Sequence, residues 1–184
     1  RLSLLAKHCN ILEPEEVKGT LAKLKWKNST KNTATADYDG FLSYIGKTWN
    51  PPKYKPEQRI PFIPTEQELD QLIASANRKY ATLLQTLKET GARIGEAKYL
   101  KWIDFDTERK TLNITPEKGS NPRILPITEK LKAMLNNLPK TSEYIFPMEQ
   151  PRKAFEPLRK RTATKLNNLR INKITFHTFR HWKG

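Results

Sequence analysis

Pro51, Pro52, Pro56, Pro61 and Pro64 fall within seventeen residues. Each removes a backbone donor and locks φ, so neither a helix interior nor a central strand can run through 48–64. The chain is therefore expected to fold as two bodies joined by an extended, semi-rigid connector. A helical domain is expected over 1–47, the connector over 48–64, and a larger domain over 65–184. Lys53, Lys55 and Arg59 make the connector basic. It either follows an anionic ligand or serves as a plain spacer, and Trp49 and Tyr54 are placed to pin it to one domain. A length of 184 residues suits one large domain or two small ones.

Hydrophobic spacing fills in the two bodies. Residues 1–9 read as the end of a helix. In 13–24, Pro14 sits early, Glu15 and Glu16 fall in the first turn, and Val17, Leu21 and Leu24 form an apolar stripe. Asn28, Ser29 and Thr30 offer an N-cap to a helix over 33–45, with Tyr38, Phe41, Leu42 and Ile45 on one face. The second body opens on Thr65-Glu66-Gln67-Glu68, a capping box ahead of Leu69, Leu72 and Ile73. Leu83, Leu84 and Leu87 mark another helix. Residues 102–106 alternate and are expected to begin a sheet, continued at 111–114 and 124–127. Thr128 is expected to cap a helix through Leu138 that buries Leu131, Met134 and Leu135. The short apolar run 144–147 reads as core. A basic helix is expected over 151–169, with Ala154, Phe155, Leu158 and Leu166 inward and Pro157 as a point of kinking. Thr175 caps a last helix. The fold class is mainly α with a small antiparallel β-sheet, an α+β chain.

Charge narrows the function. The formal net charge is +15 and the pI about 9.9. The excess is uneven: 11 Lys and Arg against 6 Asp and Glu in 1–60, 13 against 12 in 61–149, and 10 against 1 in 150–184. Basic ends around a near-neutral middle point to a polyanionic partner held by counterion release, with ordinary solvated lysines as the alternative. No apolar run approaches the ~20 residues of a membrane span, and no signal peptide is visible. Cys9 is the single cysteine, which rules out an intrachain disulfide framework and fits a reducing interior. Three histidines, two of them four apart on a basic helix, make no metal ligand set with carboxylates. No cofactor is expected.

The most chemically pointed stretch is Thr90-Gly91-Ala92-Arg93-Ile94-Gly95-Glu96. Gly91 can end the preceding helix in the left-handed conformation without a Cβ penalty. A second helix over 94–100 then starts at once, so Arg93 leaves a tight junction flanked by small residues. Its planar fork suits a phosphate, and Glu96, three residues on, is placed to orient it. The alternatives are an arginine turned to solvent or merely paired with Glu96, and a plain surface glutamate. Two later stretches add to this. Pro116-Glu117-Lys118-Gly119-Ser120-Asn121-Pro122-Arg123 forms a polar turn between two β-like runs, with Lys118 at its tip, unless Lys118 is only a turn lysine. His177-Thr178-Phe179-Arg180-His181 puts His177 and Arg180 at i, i+3 on one helix; His177 otherwise reads as an N-terminal histidine packed under Phe176.

Taken in order, these stretches resemble the tyrosine recombinase family of phage-type integrases and Xer-type resolvases. TGARIGEAKYLKWIDFD is similar to that family's first-arginine segment, EKGSNPRILPI to its lysine hairpin, and HTFRH to its second-arginine box. The resemblance implies an N-terminal core-binding domain that clasps DNA, followed by a catalytic domain. It implies site-specific cleavage and rejoining of DNA through a 3′-phosphotyrosine, without metal or ATP. Arg93 and Arg180 would clamp the non-bridging oxygens, Lys118 would protonate the leaving oxygen, His177 would bond the phosphate or handle a proton, and Glu96 would orient Arg93. Lys53, Lys55, Arg123, Arg152, Lys153, Arg159, Lys160, Arg161 and Lys165 are the candidate DNA-binding side chains. The implied partners are double-stranded DNA and, on it, further copies of the protein as a dimer or tetramer, in an intracellular setting. The family places another His or Trp and then its nucleophilic Tyr after the second-arginine box. Here the sequence ends at Gly184, four residues after Arg180, and Tyr38, Tyr44, Tyr54, Tyr80, Tyr99 and Tyr144 all precede it. The chain is therefore expected to be a fragment that binds DNA and lacks the nucleophile. A type IB topoisomerase-like enzyme, with a similar phosphate clamp, and a non-catalytic DNA-binding protein on the same fold are the other readings.

Overall fold

The computed structural model describes every residue except Arg1, Arg59, Lys118 and Ser120. Its contacts divide into two units, Arg1–Ile60 and Pro61–Gly184. In the first, α1 (Leu2–Leu5), α2 (Pro14–Lys23) and α3 (Asn28–Tyr44) close over Leu5, Val17, Leu21, Ala34, Tyr38 and Leu42. The Tyr38 hydroxyl donates to the Ile11 carbonyl at 3.0 Å, which satisfies the one polar atom of that buried ring. Helix α3 starts five residues before the expected 33, and Asn28, Ser29 and Thr30 lie in its first turn instead of capping it. The reason is visible at Asn28 and Asn32. Their side-chain amides donate to the carbonyls of Lys55 (2.8 Å) and Tyr54 (2.6 Å). Trp49 and Tyr54 pack against this same core, with the Trp49 ring edge-on to Tyr38 at 4.7 Å. Residues 49–55, expected as connector, thus lie on the first unit; Lys53 and Lys55 are exposed there.

The second unit is assembled around α5 (Arg78–Thr90), which touches α4 (Glu66–Ala74), α6 (Ile94–Lys98), α7 (Glu129–Asn136) and α9 (Phe176–Lys183). Leu83, Leu84 and Leu87 are fully covered, each worth about 2 kcal/mol of burial. Helix α4 starts on the expected capping box: Thr65 Oγ1 accepts from the Glu68 N–H at 3.2 Å, and Glu68 accepts from the Thr65 N–H at 2.8 Å. Glu68 also takes the Arg170 guanidinium at 2.7 Å, tying α4 to the 3-10 turn Leu169–Lys173. The sheet is a meander of β1 (Phe105–Asp106), β2 (Thr111–Ile114) and β3 (Arg123–Pro126), all antiparallel, with Ile114 opposite Arg123.

Three local expectations are corrected. Helix α6 stops at Lys98, because Leu100 and Trp102 leave it to bond the 143–145 segment: Ile145 N–H donates to Leu100 O at 2.9 Å, and Trp102 N–H to Glu143 O at 3.0 Å. Trp102–Asp104 is a 3-10 turn, closed by Asp104 accepting from the Lys101 N–H, and strand pairing begins only at Phe105. Helix α8 spans Pro151–Lys165 rather than 151–169. Asn167 takes the left-handed conformation and the Asn168 N–H folds back to Ala163 O at 2.9 Å. Its inner face is Phe155, Leu158, Thr162 and Ala163, while Ala154 and Leu166 are exposed. Among the described residues no helix is long and apolar enough to cross a membrane.

Candidate phosphate-binding site

Gly91 ends α5 with φ +61°, and its N–H closes on Leu87 O at 2.9 Å. A side chain at this position would also press on Lys183 of α9, whose Cγ lies 3.2 Å from where a Cβ would stand. The left-handed conformation is what favours glycine here, and a side chain would also ask Lys183 to give by a few tenths of an ångström. Two residues later Arg93 is extended and begins α6. Its backbone N–H donates to Glu96 Oε2 at 2.8 Å and its Nη1 to Glu96 Oε1 at 3.0 Å. Nη1 also lies 3.5 Å from Glu117 O at the end of the hairpin. The Glu117 carboxylate sits so close over Gly95 that a methyl group there would overlap it.

Glu96 receives a second arginine. Arg123 Nη2 donates to Glu96 Oε2 at 2.7 Å. The Glu96 side chain is 0% exposed, against 39% for Arg93 and 25% for Arg123. Burial alone would raise the Glu96 carboxyl. The Arg93 N–H and the two guanidinium groups overcome that and hold it at about 2. Glu96 is thus a charged hub at neutral pH, and it fixes both arginines from below.

Arg180 arrives from the other side on α9. Thr175 caps that helix by accepting from the Thr178 N–H at 3.3 Å. Phe179 is fully buried, and Phe176 stacks on Phe155 of α8 at 4.3 Å. The far end is held by Lys88 of α5, a buried lysine bound to Asp70 (2.6 Å) and Glu66 (3.0 Å) that lies 5.3 Å from the Trp182 ring centre. So anchored, Arg180 Nη1 reaches Gly91 O at 3.3 Å. Thr90, Gly91, Arg123, Arg180, Lys183 and Gly184 line a cavity of about 250 Å³. Three of these side chains are cationic and none is acidic.

The structure therefore attaches Arg93, Glu96, Arg123 and Arg180 to one junction. His177, one turn before Arg180 on α9, is exposed, lies edge-to-face with His181 at 4.4 Å, and lines a second cavity of about 330 Å³ between α8 and α9. Lys118 lies outside the described residues; its neighbour Gly119 has φ +72°. Of the candidate DNA-binding side chains, Arg152, Lys153, Lys160, Arg161 and Lys165 are exposed on α8. Lys160 is paired with Glu156 at 2.9 Å, and Arg161 donates to Ser75 O at 3.3 Å. Two others are engaged within the unit. Arg159 is half-buried and donates to Ile174 O at 2.7 Å, joining α8 to the segment ahead of α9. Arg123 belongs to the Glu96 cluster. The signal for Arg123 was its alternation in β3: it shares the covered side with Leu125 while Ile124 is 72% exposed. Lys88 had no such signal, because its partners lie on α4 and α9. Among the described residues no cluster of three or more His, Cys, Asp or Glu could hold a metal ion.

Two curated relatives from Sinorhizobium fredii (strain NBRC 101917 / NGR234) are similar to the chain. The putative integrase/recombinase y4qK is 28% identical over 155 residues, covering 77% of this chain and 49% of the relative. The putative integrase/recombinase y4eF is 27% identical over 151 residues, covering 74% and 59%. The chain thus spans about half the length of the curated relatives it matches. Among solved structures, the Tn1549 transposon integrase (residues 82–397) in complex with circular intermediate DNA has a TM-score of 0.70 at 17% identity, covering 98% of this chain and 76% of the other. The XerA recombinase has a TM-score of 0.54 at 22% identity, covering 96% and 68%. Both are similar to this chain in fold. The model of the phage integrase family matches residues 64–183, the region that holds the whole Glu96 cluster and α9, and the chain belongs to that family.

Proposed function

We propose that this chain is the DNA-holding, phosphate-clamping part of a site-specific recombinase that cuts and rejoins double-stranded DNA through a 3′-phosphotyrosine. The observation that carries the reading is that Arg93 and Arg180 both attach to the α5–α6 junction, Arg93 through buried Glu96 and Arg180 through the Gly91 carbonyl. In such a reaction a tyrosine oxygen attacks phosphorus while the bond to the 5′ oxygen breaks. Charge builds on the non-bridging oxygens, and two rigid guanidinium groups are suited to meet it. Lys118 gives the departing 5′ oxygen its proton. His177, one turn before Arg180 on α9, bonds the phosphate or handles the nucleophile's proton. None of the six tyrosines in this sequence is assigned as the nucleophile. The phosphotyrosine keeps the energy of the broken bond, so rejoining needs no ATP. Lys53 and Lys55 on the first unit and Arg152, Lys153, Lys160, Arg161 and Lys165 on α8 contribute backbone contacts. The partner is duplex DNA, on which further copies of the protein assemble, and the place of action is intracellular. The test is a nicked suicide duplex incubated with the whole protein in EDTA and no nucleotide, then run on a denaturing gel. A DNA–protein band that disappears on protease treatment supports the proposal. Strand cleavage that requires added metal, or none at all on any duplex the protein binds, refutes it.

A further inference from the structure

We infer that Arg123 is a third phosphate-binding arginine of this site, sharing Glu96 with Arg93 and facing the cavity that Arg180 lines. This rests on reading that cavity as a phosphodiester site, and it adds a ligand to it. Three observations carry it. Arg123 is bound at 2.7 Å to a carboxylate that is 0% exposed, so its guanidinium is set in place before any ligand arrives. Pre-organisation of this kind removes the ordering cost that a free surface arginine would meet. Second, one carboxylate serves two arginines, through Oε1 to Arg93 and Oε2 to Arg123. A guanidinium carries five N–H donors in a fork, and a single carboxylate oxygen cannot take them all. Third, Arg123 lines the same cavity as Arg180 and Lys183, a space of about 250 Å³ with no acidic side chain in its wall. That volume is several times the ~30 Å³ share of a water molecule.

The ligand chemistry this fits is a phosphodiester, with Arg123 and Arg180 donating to its oxygens from opposite walls. A salt bridge made only to hold β3 against α6 would need neither the shared carboxylate nor the open cationic cavity. An exposed DNA-surface arginine would not be pinned to a buried acid.

The experiment is NMR of arginine Nε–Hε groups in the ¹⁵N-labelled chain, titrated with dimethyl phosphate, a phosphodiester without base or sugar. The expected result is that the Arg123 and Arg180 signals shift together along one binding curve. In Arg123→Lys, which keeps a positive charge beside Glu96 and so protects the fold, affinity read from the Arg180 signal falls about tenfold or more. Arg109→Lys, on an exposed turn outside the site, leaves it unchanged. Two results overturn the inference in distinguishable ways. If the Arg180 signal does not move in the unaltered chain, the cavity is not a phosphodiester site and the functional reading falls with it. If Arg180 titrates while Arg123 does not, and Arg123→Lys binds equally well, the functional reading stands and Arg123 is only a structural partner of Glu96.

Discussion

Replacing Glu96 with Gln removes one charge from the centre of the arginine cluster and almost no volume. The carboxyl is held at about 2 against an ordinary 4.5. At 1.36 kcal/mol per unit, that depression corresponds to about 3 kcal/mol of stability at neutral pH. Part survives in the variant, since the amide oxygen still accepts a hydrogen bond. Water also screens part of the loss, because the Arg93 and Arg123 side chains are 39% and 25% exposed. A net cost of about 2 kcal/mol is expected at pH 7, or roughly 6–10 °C in the melting temperature of the second unit. The pH dependence is diagnostic. A depressed carboxyl contributes fully above its unfolded value and loses that contribution as pH falls through its folded one. The gap between the two proteins should therefore be widest above pH 4.5 and should close as pH drops toward 2. Urea denaturation of both proteins, followed at a series of pH values, measures it. A cost below about 0.5 kcal/mol at pH 7, or a gap that stays constant with pH, would refute the assignment of Glu96 as the charged hub.

Three further outcomes are expected. Gly91→Ala should cost about 1–2 kcal/mol in thermal or urea denaturation, since φ is +61° and the new methyl would stand 3.2 Å from Lys183 Cγ. Binding to a mixed-sequence duplex should weaken steeply with salt, each neutralised phosphate adding about −0.9 to the slope of log K against log salt, and a flat response in a filter-binding titration would contradict it. In the whole protein, Lys118→Ala should cleave ordinary DNA poorly yet cleave a bridging 5′-phosphorothiolate at close to the unaltered rate, because sulfur leaves without a proton; continued impairment on the sulfur substrate would make Lys118 a phosphate ligand and not an acid.

What could be read from the sequence was local. The Thr65 capping box, the Gly91 helix stop and the hairpin around 116–123 each declare themselves within a few residues, and each is found. The Arg93–Glu96 pair has the same character, being one helical turn. What escaped depends on contacts between distant segments. Arg123 looked like one more cation because its partner lies across the β3–α6 boundary, 27 residues away. Arg159 looked free because the carbonyl it holds belongs to the segment before α9. The inner face of α8 was misjudged because Thr162 and Ala163 pack there while Ala154, equally apolar by composition, faces out. Helix α3 began early because Asn28 and Asn32 spend their amides on residues 54 and 55, a use that no capping rule anticipates.

The proposed arginine clamp acts on the transition state and not merely on DNA affinity. Cleavage of a suicide duplex and equilibrium binding to it, measured side by side for Arg93→Ala and Arg180→Ala in the whole protein, test it most directly. Losing a donor to charge that grows in the transition state typically costs about 10²–10³-fold in rate. A fall of that size in cleavage is expected, with binding changed only severalfold. A parallel decline of cleavage and binding, or cleavage that persists without either arginine, would contradict it.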